Sequence, residues 1–177
     1  LNLLNRLLVE GEGLARLRAA YGQLTDQVLS PADVLYDGKR DVLLDAMSSE
    51  LQMLAAQLYR IAQQQRAARD FTLDGLQRAL REVIACMAVY RTYVRPRGWD
   101  VTETDYRRVS TAIRLAKRRN PTMAWAVFDF IASVLLLQHH PGISDEQASQ
   151  RRDFALKMQQ VSGPVMAKGL EETAFYR

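Results

Sequence analysis

Cysteine is nearly absent from this sequence. Cys86 is the sole example in 177 residues, so no disulfide can close within the chain, and a reducing compartment, the cytoplasm, is expected. Histidine is almost as scarce. His139 and His140 are the only two, and as neighbours they project in different directions. Helical metal sites use spacings of three or four with acidic or cysteine partners. Neither a metal nor a cofactor is expected. Long apolar runs are missing too. The longest, around Ile131 to Leu137, is interrupted by Ser133 and falls well short of the roughly 20 residues that span a bilayer. The opening "LNLLNRLLVEGEG" mixes Asn, Arg and Glu into its apolar positions and lacks the unbroken apolar core of a signal peptide. No membrane partner is expected.

What remains is ordinary for a globular chain: 48% hydrophobic and 25% charged residues, with a net charge of +4. The length suits a single domain over 1–177 with its own core. The patterning is helical nearly throughout, so the fold class is all-α, a multi-helix bundle. Leu44, Met47, Leu51, Leu54, Leu58 and Ile61 recur at alternating steps of three and four, which places them along one seam. Ser30-Pro31 offers a cap and a first-turn proline. Together these predict one long helix from about Pro31 to Arg66, weakened near its start by Gly38. Thr72 caps a second helix, with Phe71 placed to staple onto Leu76 and with Leu76, Leu80, Val83, Ile84 and Met87 facing inward. "RPRGWD" is a loop. Thr102 opens a helix with a stripe of Tyr106, Val109, Ile113 and Ala116, and Asn120-Pro121 ends it. Trp125, Phe128, Ile131, Val134 and Leu135 mark a largely buried helix. "HHPG" is a turn, and Ser144 with Gln147 forms a capping box for a helix towards Gln160. No strand, repeat or low-complexity segment is evident.

Chemistry is hard to place. Cys86, within "VIACMAV", reads as a core thiol. Lys168-Gly169 lacks the upstream glycines of a phosphate loop. Glu171 and Glu172 are adjacent and face apart, whereas a retaining glycosidase needs two carboxyl groups about 5 Å apart across a sugar. Basic residues gather in "RLAKRRN" (Arg114, Lys117, Arg118, Arg119) and in "QQQRAAR". Both lie late in predicted helices, where cations meet the negative end of the dipole. A phosphate-binding patch is the other reading. Two stretches depart from core logic. "VYRTYV" groups Tyr90, Arg91 and Tyr93 where a helix ends, and "KGLEETAFYR" carries Lys168, Glu171, Phe175, Tyr176 and Arg177 in an irregular segment. Such aromatics either close the core or meet a sugar, a ring covering the apolar face of a pyranose while charged and phenolic groups bind its hydroxyls.

These stretches carry a resemblance. "REVIACMAVYRTYV", "FTLDGLQRALREV" and "SGPVMAKGLEETAFYR" resemble maltooligosyl trehalose synthase, the (1→4)-α-D-glucan 1-α-D-glucosylmutase of the α-amylase superfamily. The family typically reads Thr-Gly-Pro-Val-Met-Ala-Lys-Gly-(Val or Ile)-Glu-Asp-Thr-Ala-Phe-Tyr-Arg. Here Ser162 replaces the Thr, Leu170 fits the apolar position and Glu172 replaces the Asp. The opening "LNLLNRLL" is also family-like, while Val101 to Arg152 matches only loosely. The resemblance implies a helical insertion from a (β/α)₈-barrel enzyme, with residues 162–177 leading back into the barrel. It implies an isomerase that converts the reducing-end α-1,4 link of a maltodextrin into an α,α-1,1 link. The catalytic carboxylates are expected in the barrel and none here, since neither histidine precedes an Asp. The partners implied are a maltooligosaccharide and the parent barrel, without nucleic acid. Tyr90, Arg91, Tyr93, Lys168, Glu171, Phe175, Tyr176 and Arg177 would contact substrate, capping the acceptor side; the alternative for Lys168, Glu171 and Arg177 is that they only tie the insertion to the barrel. The competing expectation is a free-standing helical interaction module that binds nucleic acid through "RLAKRRN".

Overall fold

The computed structural model describes residues 7, 8, 10–25, 30–95, 101–138 and 142–176. Seven α-helices and one 3₁₀ turn occupy them, and no strand occurs among these residues. The helices are α1 (Gly11–Thr25), α2 (Pro31–Leu44), α3 (Ser48–Gln63), α4 (Leu73–Cys86), α5 (Glu103–Arg119), α6 (Trp125–Leu135) and α7 (Asp145–Glu171). The 3₁₀ turn is Ala174–Tyr176. The chain divides into two compact units between Val34 and Leu35. In the first, α1 buries no residue and leaves Leu14, Leu17, Tyr21 and Leu24 exposed.

The second unit holds the core. α4 is its hub and packs against α3, α5 and α6, while α7 packs against α3 and α6. Phe128, Phe154, Leu51, Leu54, Leu58, Leu76, Leu80, Ile84 and Ile131 are all fully buried there. Each such side chain contributes about 1.5–3 kcal/mol relative to leaving it in water. Three side-chain N-caps are present, those at Thr72 and Ser144 as expected. Thr72 accepts from the Gly75 amide, Thr102 accepts from the Asp105 amide, and Ser144 with Gln147 closes a full capping box. Phe71 packs its ring on Phe130, with centroids 5.7 Å apart. At the far end of α6, the buried Arg151 donates to the carbonyls of Gln138 (2.9 Å) and Ser133 (3.4 Å). A cation there offsets the negative pole of the helix.

Several expectations are corrected. The helix foreseen from Pro31 to Arg66 is two helices, broken at Asp45–Met47. The Met47 amide reaches back five residues to the Val42 carbonyl (2.8 Å), and α3 restarts from Met47. The break swings Val42 and Leu43 inward and turns Leu44 out to solvent, so Leu44 leaves the seam while its other five members stay buried. The unbroken long helix is instead α7, 27 residues that continue past Gln160 to Glu171. Pro164 lies inside it on the exposed side, where water can satisfy the carbonyl that its missing N–H leaves unpaired. Tyr106 and Trp125, assigned to buried stripes by spacing, are exposed. The "RPRGWD" loop from Pro96 and the "HHPG" turn through Pro141 lie outside the described residues.

Candidate functional site

The two motifs that stand apart in the sequence meet in the second unit. α4 stops at Cys86 because Met87 turns extended (φ −68°, ψ 126°), and the chain then runs out as a ribbon along α7. Three side chains fasten it. Lys39 Nζ donates to the Met87 carbonyl at 2.6 Å. Ser162 Oγ donates to the Tyr90 carbonyl at 2.9 Å. Gln159 Oε1 accepts from the Val94 amide (2.7 Å) and the Thr92 hydroxyl (3.1 Å), while its Nε2 donates to the Val94 carbonyl (3.3 Å). On the other side, Asp105 Oδ1 accepts from the Tyr93 amide at 3.1 Å. An extended chain held this way alternates its faces. Thr92 and Val94 are buried, while Arg91 and Tyr93 are exposed.

The hydroxyl of Tyr90 donates to the carboxylate of Glu171 at the end of α7, tying ribbon to helix. That bond, with some burial, holds the Tyr90 phenol above its ordinary pKa. The Arg91 guanidinium lies over the Tyr93 ring, 4.7 Å from its centroid. Lys168 turns to Glu172 instead (3.2 Å), so it does not join the Tyr90–Glu171 pair. The two adjacent carboxylates thus serve different partners, as their spacing required. Residues Lys168 to Glu171 belong to α7, and only the stretch beyond them is irregular. Phe175 and Tyr176 follow on the 3₁₀ turn, 70% and 84% exposed, and Tyr93 is 57% exposed. These rings do not close the core. Arg177 lies outside the described residues.

Beneath this edge sit polar groups that spacing alone did not single out. Gly38 and Gly169 mark the crossing of α2 and α7, where a Cβ on Gly38 would fall 2.7 Å from the Gly169 carbonyl oxygen. One on Gly169 would fall 3.0 Å from the Lys39 backbone. The approach buries Lys39 to 3% exposure, and that burial pulls its ammonium down to about 8. Glu82, 1% exposed, accepts from Tyr36, Arg40 (3.2 Å), Arg81 (3.2 Å) and Asn120 (3.1 Å). Burial pushes its pKa up, but the Tyr36 and Asn120 hydrogen bonds and the Arg40 charge outweigh it and leave the carboxyl below its usual range. Burial and the same bond to Glu82 raise the Tyr36 phenol. Arg119 covers the Tyr36 ring at 4.0 Å. The one sequence signal was a glutamate three residues after Ala79 and four before Cys86, on the apolar face of α4. Cys86 is buried, and its thiol is pushed up to about 11, as in a core position.

The basic run "RLAKRRN" does end its helix as expected, but its cations are not a uniform patch. Lys117 pairs with Asp129 (2.5 Å) beside the Trp125 ring, and Arg119 stacks on Tyr36. Among the described residues, no three His, Cys, Asp or Glu side chains gather as metal ligands. No helix among them is long and apolar enough to cross a membrane. Comparison with known protein families, with curated proteins and with solved structures returns no match.

Proposed function

We propose that this chain is the helical cap of a trehalose-forming glucosylmutase, the reading its sequence motifs suggest. In that reading it is inactive alone and works over reactive carboxylates held by a (β/α)₈ barrel. The observation that carries the proposal is the Tyr90–Glu171 bond. It joins the two most family-like motifs into one edge and leaves Tyr93, Phe175 and Tyr176 facing solvent.

The reaction makes a particular demand. After the terminal α-1,4 link breaks, glucose must stay bound while it turns, and water must not reach the glycosyl intermediate first. Closing the acceptor side with protein raises the effective concentration of glucose and excludes the competing nucleophile. Aromatic faces suit this task because they hold a turning ring by contact without many fixed hydrogen bonds. Arg91 and Lys168 supply donors for hydroxyls at the rim, while Glu171 is committed to Tyr90.

The test uses the barrel-bearing enzyme. Phe175→Ala or Tyr93→Ala is expected to raise glucose release relative to isomerisation of maltopentaose, and an unchanged ratio removes both residues from the acceptor side. The 177-residue chain alone is expected to turn over no maltopentaose. The nucleic-acid reading predicts oligonucleotide affinity with a measurable salt slope. The engagement of Lys117 and Arg119 with protein partners speaks against it.

A further inference from the structure

The end of α4 and the outer face of α5 enclose a shallow cleft of about 210 Å³. Met87 and Ala112 floor it, both buried, with Val89 beside them, and Arg107, Arg108 and Thr111 stand at its rim. This space is separate from the Tyr90–Glu171 pair, yet it adjoins the aromatic edge. Residues 87–89 lead directly into Tyr90. Asp105, one residue before the exposed Tyr106, holds the Tyr93 amide against the first turn of α5. The ribbon and the start of α5 therefore form one continuous surface.

The chemistry of the rim selects the ligand. Two arginines beside a cavity suggest an anion, but both are already balanced. Arg107 pairs with Glu103 at 3.0 Å and Arg108 lies 3.8 Å from Asp105. A phosphate site needs uncompensated positive charge, and this rim has little to offer. What it offers is spare guanidinium N–H donors, a threonine hydroxyl and an apolar floor. That is the combination a neutral sugar ring uses, with C–H groups down and hydroxyls toward the rim. The volume lies below the roughly 300–1,000 Å³ of pockets that enclose drug-sized ligands, so it suits one ring and not a chain.

From this arrangement we infer that the cleft between Met87–Val89 and α5 is a carbohydrate subsite for a single neutral hexose unit, continuous with the edge at Tyr90 and Tyr93. The inference rests on the saccharide reading of that edge, and the experiment separates the two. The chain, labelled at its methionine methyls and at its Phe and Tyr rings, is titrated with maltotriose and, in parallel, with inorganic phosphate. Maltotriose is expected to shift both the Met87 methyl and the rings of Tyr93, Phe175 and Tyr176, and phosphate is expected to leave Met87 unmoved. Thr111→Phe, which fills the cleft from a partly exposed helix position, is expected to abolish the Met87 shift and preserve the ring shifts. Unchanged core methyl resonances verify that the variant folds. Ring shifts without a Met87 shift overturn the subsite and leave the edge standing. No shift anywhere overturns both, and a Met87 shift with phosphate but not maltotriose reassigns the cleft to an anion.

Discussion

Gly169 packs so closely on Lys39 that a single added carbon would sit 2.5 Å from Lys39 Cγ and 3.0 Å from its backbone nitrogen and Cα. A long side chain can swing aside, but a helix backbone cannot do so without moving the helix. Gly169→Ala is therefore expected to destabilise the chain by about 1–3 kcal/mol, the usual range for overpacking a core. Gly38→Ala meets a carbonyl oxygen at 2.7 Å and is expected to behave alike. Helix propensity alone predicts the opposite sign, a gain of about 1 kcal/mol. Urea unfolding of the two variants decides between them.

Lys39 makes a separate prediction. Its folded pKa of about 8 lies below the roughly 10.4 of an unfolded lysine. Between those values the unfolded chain binds the extra proton, so this group makes stability rise with pH from about 8 towards about 10. Below about 8 both states are charged, and the burial cost is constant. Lys39→Met is expected to flatten that rise and to be near neutral or stabilising at pH 7, since it removes a buried charge with no carboxylate bonded to it. Thermal melts of both proteins between pH 7 and pH 10 check this. Equal slopes would show that Lys39 does not titrate there.

Glu82 behaves in the reverse sense. Its folded pKa lies below the unfolded value of about 4.3, so its contribution is present above that pH and is lost as acid protonates the folded carboxyl. Glu82→Ala is expected to cost about 3–5 kcal/mol at pH 7, because Arg40, Arg81, Tyr36 and Asn120 then lose their shared acceptor. Glu82→Gln keeps the volume and is expected to flatten the acid limb below about pH 4. Denaturant midpoints measured from pH 2.5 to pH 7 show whether it does.

Tyr90→Phe tests the edge without touching the core. Tyr90 and its bond to Glu171 lie on the surface, so global unfolding is expected to shift little. Amide exchange at residues 174–176 is expected to quicken, because Glu171 no longer anchors the end of α7. Protection equal to that of the parent chain would mean the bond does not order the edge.

Much of the bundle was legible because it rests on local chemistry. Thr72, Thr102 and Ser144 each satisfy an orphan amide within their own first turn, and a sequence window contains everything such a cap needs. The break at Asp45–Met47 was not legible, since the heptad spacing runs through it unbroken. Only the burial of Val42 and Leu43 against distant helices shows the change of face. The persistence of α7 through Gly163-Pro164 was hidden for the same reason. Ser162 is bonded there to Tyr90, 72 residues away, and packing overrides a local helix-breaking signal. The aromatic edge was visible as unusual composition, whereas its joining through Tyr90 and Glu171 needed the fold. The buried lysine was invisible, because what admits it is an absent side chain on another helix.

That paired absence bears on how this sequence can drift. Where two hydrogens face a neighbouring backbone, every single-residue step leads uphill, whichever amino acid arrives. A viable change there requires two helices to part together, with a fresh occupant for the gap supplied in the same event. Positions 38 and 169 should therefore stay fixed in random libraries selected only for folding, even if the rings at 175 and 176 vary freely.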